Sequence, residues 1–196
     1  MATAATTYTD ADLAYLRSEF RPLDDLCAER DESPDEVRRL IAERRLPRPS
    51  YVLDDGTELV PPDYFALVDA AGEVERLRDE YERQYRTALE KYGLALDAGL
   101  FERRWESYLD GISGICMREV MPETIVRKRM LIDGIEELLA APRPEDTQWA
   151  GELRGRVDEL DAIEKQFAPD YDRRRFVPTR DTYIRDVREA YPQLWV

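Results

Sequence analysis

At 196 residues the chain is long enough for one large domain, or for a small domain joined to a medium one; with 43% hydrophobic and 37% charged residues it can bury a core under a heavily ionised surface. A net charge of −14 opposes approach to nucleic acid or an anionic membrane and favours neutral or cationic ligands. The sequence has no histidine, which excludes a Ser-His-Asp or Cys-His machine within the chain, and two distant cysteines make neither a disulfide framework nor an ordinary zinc site.

Residues 1 to 8 are Ala/Thr-rich and expected to fray. No basic stretch precedes an apolar run and no run approaches membrane-spanning length, so a cytoplasmic protein without a membrane partner is expected. Thr9 with Asp12 predicts a capping box, and Leu13, Leu16 and Phe20 form the apolar stripe of the helix it opens. A second helix starts at Pro22 and turns Leu23, Leu26 and Cys27 inward. A third has Ser33 as N-cap, Pro34 at its first position and Glu36 completing a box, with Val37, Leu40 and Ile41 on one face. Leu46-Pro47-Arg48-Pro49 ends it, and Asp54-Asp55-Gly56 between two β-favouring runs predicts a hairpin.

Beyond Pro62 the period is helical throughout. Val74, Leu77, Tyr81, Tyr85, Ala88, Leu89 and Tyr92 predict a long helix over about 66–92. A second spans 96–111 with Leu100, Phe101, Trp105, Tyr108 and Leu109 inward, broken by Gly111-Ile-Ser-Gly114; the following Ile115-Cys116-Met117-Arg-Glu-Val120 reads as extended or turn. Pro122 opens a third, a fourth covers 145–167, and Thr179 caps a last one stopped by Pro192. The expected fold class is mainly α: a small winged helix-turn-helix headpiece, residues 1–61 with one β-hairpin, packed on a bundle of about five helices, residues 62–196.

Over about 40 residues the first part resembles the headpiece of MerR-type regulators: a Leu-x-x-Leu-Cys-Ala helix, Ser33-Pro34 before the next helix, Leu-Pro-Arg-Pro after it. The charge is wrong for that role. Residues 22–62 hold acids at 24, 25, 29, 31, 32, 35, 36, 43, 54, 55 and 58 against arginines at 30, 38, 39, 44, 45 and 48, a balance of −5. Asp35 and Glu36 occupy the end of the helix that would meet bases, and Asp54-Asp55 the tip of the wing. Arg38, Arg39, Arg44, Arg45 and Arg48 form a local basic stripe that argues the other way. Nucleic acid is not the expected partner, and the headpiece is expected to serve packing or dimerisation.

Chemistry is expected in the helical body. Cys116 lies near the helix that begins at Pro122, where a thiol can be activated, though a small buried hydrophobe is the ordinary role of such a residue. Glu123 sits in that helix's first turn, and Asp158, Asp161 and Glu164 share an acidic arc that either pairs with Arg154 and Lys165 or does acid–base work. Eleven Tyr and three Trp either fill the core or line an aromatic pocket.

Gly114-Ile-Cys116-Met, Val120-Met-Pro122-Glu123-Thr-Ile, Val157-Asp158-Glu-Leu-Asp161 and Phe167-Ala-Pro-Asp170-Tyr171-Asp172-Arg173, together with Leu46-Pro-Arg-Pro-Ser-Tyr51 and Asp55-Gly56, resemble a family of uncharacterised bacterial proteins found in natural-product gene clusters. That resemblance implies a role in secondary metabolism without implying a reaction. With no phosphate loop or dinucleotide fingerprint, no cofactor and no metal are expected, and a cofactor-independent cyclisation or condensation fits best. Glu123 or Asp161 would act as base, Tyr108 as proton donor and Cys116 as a reactive thiol. Arg127, Lys128, Trp105, Tyr171 and Arg173 would hold a small substrate, amine-bearing and aromatic. The alternatives are a MerR-like effector-responsive regulator, dimerised through the 66–92 helix, and a non-catalytic partner of a biosynthetic synthase.

Overall fold

The computed structural model describes residues 8–167 and 169–196, so the expected fraying of residues 1–7 lies outside the described residues; Tyr8, expected to fray with them, is instead buried, its hydroxyl donating to the Val52 carbonyl at 3.0 Å. Helix α1 (Asp10–Glu19) carries the full capping box: the Asp12 amide donates to Thr9 Oγ1 at 3.1 Å and the Thr9 amide to Asp12 Oδ2 at 2.9 Å. Leu16 and Phe20 are buried and Leu13 half-buried, as the stripe predicts.

A two-residue strand β1 (Arg21–Pro22) leads into α2 (Leu23–Glu29) and α3 (Pro34–Ala42). At α3 only half of the predicted box forms. Ser33 Oγ accepts from the Glu36 amide at 3.4 Å, but the Glu36 carboxylate is taken by Arg39 one turn on. The hairpin is present as β2 (Tyr51–Val52) and β3 (Glu58–Val60), with Gly56 at φ +86° in the turn. Sequence reading missed β1, which pairs antiparallel with β3 and gives the order β1-β3-β2. Pro22 is tolerated there because β1 is an edge, where a missing N–H breaks no ladder.

The predicted 66–92 helix is two helices, α4 (Ala66–Ala71) and α5 (Leu77–Lys91), with a 3-10 turn at Val74–Arg76 between them. Gly72 at φ +81° closes α4 with a left-handed residue, a conformation that continues no helix. Helix α6 (Ala98–Leu109) is capped by Asp97; a short helix, α7 (Ile112–Cys116), occupies the expected break and takes in Ile115 and Cys116, while the chain from Met117 to Val120 is extended or bent as predicted. Helix α8 (Pro122–Ala140) packs against α5 on one side and α9 (Thr147–Ile163) on the other. A π-helical turn (Asp181–Arg185), α10 (Asp186–Ala190) and a 3-10 turn (Pro192–Trp195) close the chain. Two predicted ends shift. Helix α9 stops at Ile163 rather than 167, and the Thr179 hydroxyl caps nothing because it donates to Glu164 Oε1.

The architecture is mainly helical with one small sheet. One hydrophobic cluster runs from Leu23, Leu26, Cys27 and Val37 through Phe65 and Tyr81 to Trp105 and Ile125, crossing from headpiece to bundle. A second joins Leu16, Phe20, Tyr51 and Leu59 to Ile115 and Phe167. A third fills the space between α8, α9 and α10, around Ile135, Trp149, Leu153 and Val157. The apolar stripe of α5, read as a dimer seam in the regulator alternative, is spent inside the chain: Leu77, Tyr81, Tyr85, Ala88 and Leu89 are all buried.

The Leu-Pro-Arg-Pro-Ser segment straps the headpiece onto this body. The Arg48 amide donates to the Leu109 carbonyl at 2.8 Å and Ser50 Oγ to the Gly111 carbonyl at 3.0 Å. Gly111 sits at φ +72°, and a Cβ there would meet the Arg48 carbonyl oxygen at 2.3 Å, which explains why glycine interrupts the chain at this point. Gly111→Ala is therefore expected to cost at least about 2 kcal/mol, from left-handed strain plus a backbone clash, read as a lowered urea midpoint. An unchanged midpoint would mean the strap can move without loss.

Candidate functional site

Where α7 gives way to an extended segment, Met117 forms an isolated antiparallel bridge with Glu164, just past the end of α9. The Arg118 amide donates to the Ile163 carbonyl at 3.0 Å and the Lys165 amide to the Cys116 carbonyl at 2.9 Å. This local pairing carries Cys116 and Glu164 to the same place, against the face of α8 that bears Lys128. Lys128 Nζ lies 3.2 Å from Cys116 Sγ and 2.7 Å from Glu164 Oε1. Thr179 Oγ1 donates to the same carboxylate oxygen at 2.6 Å. Glu164 is fully buried and the Lys128 side chain 14% exposed. Burial works against the Lys128 ammonium, but the Cys116 sulfur and the Glu164 carboxylate outweigh it and hold its pKa above the ordinary lysine value. Glu164 Oε2 has no partner among the described residues.

Cys116, Lys128 and Thr179 line a cleft of about 340 Å³. Its walls are apolar, from Ile115, Met117, Ile125, Ile132 and Phe167, and polar groups from Ser107, Ser113 and Tyr183 enter it. Ile112, Phe176 and Val177, all exposed, gather at this cleft. Exposed apolar side chains collected around one concavity mark a surface that expects a ligand. The π-helical turn at Asp181–Arg185 places Tyr183 on the cleft and Ile184 in the core.

The other predicted site residues lie elsewhere. Glu123 is an exposed partner of Lys91 at 2.5 Å; that bond holds its carboxyl below the ordinary range, the wrong direction for a general base near neutrality. Asp161 is bound by Arg180 and by Arg188 at 2.7 Å; burial raises its pKa, but the two guanidinium groups outweigh burial and hold it low. Tyr108 is buried in an aromatic cluster with Trp105 and Tyr81, and burial pushes its phenol up. It lines, with Asp63, a separate small cavity of about 20 Å³. Trp105 is a core residue under Arg78, Arg127 pairs with Glu159 at 2.6 Å, and Tyr171 packs on Tyr8 with ring centroids 4.3 Å apart and planes tilted by 30°. Arg173 pairs with Asp181 at 2.9 Å beside a wider depression of about 610 Å³. Only Cys116 and Lys128 of the nine come together in one site.

A family model described as "Family of unknown function (DUF6058)" matches residues 73–192. The chain belongs to the DUF6058 family. The matched span holds every residue that lines the cleft of this DUF6058 member, together with Glu164, and leaves out residues 1–72. No curated protein matches, and no solved structure matches. Among the described residues no helix is long and apolar enough to cross a membrane.

Sequence reading missed Glu164 as a partner of Lys128, because the helical period carried it onto the acidic arc with Asp158 and Asp161. A usable signal existed in composition. Only three lysines stand among 29 basic residues, and two of them, Lys128 and Lys165, flank Cys116. A chain that otherwise uses arginine keeps lysine, whose ammonium can give up its proton, beside its one half-buried thiol.

Proposed function

We propose that this protein is a cofactor-independent, thiol-based acyl-transfer catalyst acting on a small, largely apolar intermediate of secondary metabolism. The observation that carries the reading is the Cys116–Lys128–Glu164 array at the wall of an apolar cleft. The Lys128 ammonium donates to the Cys116 sulfur, so a nucleophile and a proton donor stand side by side at the cleft. In the proposed cycle the Cys116 thiolate attacks an acyl carbon, the S–C bond forms, and the departing group takes a proton from Lys128 Nζ. The acceptor, water or a second substrate group, then returns that proton as it releases the acyl group from sulfur. Glu164, fixed by Thr179, orients Lys128 throughout. The carboxylate-and-tyrosine mechanism expected from sequence gives way here, because Glu123, Asp161 and Tyr108 neither adjoin one another nor reach the cleft. The resemblance to proteins of natural-product gene clusters supplies the metabolic setting, and the cytoplasm keeps such a thiol reduced.

The regulator alternative finds less support. Four of the five arginines of the predicted basic stripe are tied to carboxylates of the same chain: Arg38 to Glu58 and Asp24, Arg39 to Glu36 and Glu43, Arg44 to Asp110 and Glu106, Arg45 to Glu75 and Glu43. Asp54 and Asp55 stand exposed at the tip of the wing. Phosphate contacts at this face would first have to break those pairs.

The test is incubation with p-nitrophenyl hexanoate. A burst of about one p-nitrophenol per chain is expected, with the hexanoyl mass on the peptide that contains Cys116, and both lost in Cys116→Ser. Cys27 is fully buried and should stay unmodified. Acylation spread over other residues, or a burst that survives Cys116→Ser, overturns the reading.

A further inference from the structure

Two arginines line the cleft, and they differ in one respect. Arg129 is bound to Asp133 by a hydrogen bond at 2.8 Å and a second ion-pair contact at 2.5 Å. Arg104, whose charge is felt by the Tyr81 and Tyr85 phenols, forms no ion pair with a carboxylate among the described residues. The chain does not lack acids, with 43 against 29 basic residues, and most surface arginines find one within a turn or across an interface. Arg104 is half-buried, and it shares a face of α6 with Ser107, one turn further on, which also lines the cleft. A half-buried guanidinium left without a counter-charge is a standing electrostatic demand, and the cleft is where an anion would answer it. The other charges there are already engaged: Lys128 with Glu164 and Cys116, and Glu136 with the Tyr183 hydroxyl at 2.5 Å.

We infer that Arg104 is the specificity-determining residue of this cleft and that the substrate carries a carboxylate, held by its guanidinium, on an apolar body that reaches toward Cys116. This rests on the cleft being the substrate site proposed above. It departs from the amine-bearing substrate expected from net charge, because Arg104 gives the cleft a cation with no ion-pair partner among the described residues.

The probes are 4-phenylbutyrate and its neutral primary amide, with affinities measured by calorimetry on the full chain. The expected result is that the carboxylate binds about tenfold or more tightly than the amide. The preference should vanish in Arg104→Gln and persist in Cys116→Ser, since it does not depend on the thiol. Equal affinities in the unaltered protein, no binding of either compound, or a preference that survives Arg104→Gln would each overturn the inference. Those outcomes leave the acylation burst at Cys116 standing as a separate result. Conversely, a preference governed by Arg104 in a protein that shows no burst would remove the thiol chemistry and keep the binding site.

Discussion

Lys128→Met is expected to cost about 3–5 kcal/mol of folding stability, the largest loss of any single change at the cleft. Met matches the length of the lysine stem, so the apolar part of the side chain is retained and the change removes the ammonium with its contacts to Glu164 and Cys116. What it leaves behind is a carboxylate with no exposure, one oxygen bonded to Thr179 and the other without a partner among the described residues. A stranded buried charge costs far more than the intact pair contributes, so the partner's removal should restore much of the loss. Combining Lys128→Met with Glu164→Gln, which keeps a group able to bond the Thr179 hydroxyl, is expected to recover more than half of the deficit. Urea unfolding of the two single variants and the double variant closes the cycle. If the single and double variants share a midpoint, the two side chains are not coupled. The single change should also abolish the acylation burst, because the sulfur loses its ammonium and the leaving group its proton donor.

What could be read from sequence, and what could not, divides by distance along the chain. The Thr9–Asp12 box, the Asp-Gly hairpin and the proline opening α8 are decided within four residues, and all three stand in the structure. Gly72 was visible as a residue, but its breaking of the 66–92 period was not, since glycine inside a helical pattern is often tolerated. Strand β1 depends on Val60 and Leu59, far along the chain, and two residues carry no period of their own. The site behaves the same way. Cys116 and Lys128 lie twelve residues apart and were both singled out, whereas Glu164 reaches them only because Met117 pairs with it and ends α9 early. Glu123 and Asp161 were attractive as isolated carboxylates; the Lys91 and Arg188 that neutralise them come from other helices, and periodicity says nothing about those partners.

The strap at Arg48–Ser50 ties the headpiece to the same Gly111–Gly114 region that opens α7, and α7 ends in Cys116. The strap therefore touches the segment that carries Cys116 without lining the cleft. A cost from Gly111→Ala would then extend beyond stability to the seating of Cys116 against Lys128. The family match, which begins at residue 73, covers the cleft but not the strap that braces it.

The second buried lysine beside Cys116 should respond in the opposite sense. Lys165 is 2% exposed, its ammonium 4.2 Å from the Phe20 ring centre and 3.5 Å from the Gly114 carbonyl oxygen. Burial pushes its pKa down to about 8 from an ordinary 10.5, although Asp63 and Glu19 draw it the other way. Between those two values the unfolded chain still holds a proton that the folded chain has released, so unfolding becomes harder as pH rises through that window. Below it both states are charged, and the folded state bears the cost of the buried ammonium. Lys165→Met, which keeps the apolar contact with Phe20, is therefore expected to stabilise the protein by about 2–3 kcal/mol near pH 7, with the advantage shrinking to below about 1 kcal/mol near pH 10. Lys128 contributes with the reverse sign: its raised pKa keeps its stabilisation intact below the unfolded value and loses it only as pH climbs through the folded one. Paired urea titrations of the two proteins at several pH values cancel the buried tyrosines, which both share. A Lys165→Met variant that is weaker near pH 7, or an advantage that does not change with pH, would show that the Lys165 ammonium is compensated where it sits, and that only the Lys128 side of Cys116 supplies an amine held by design of the fold in its charged form.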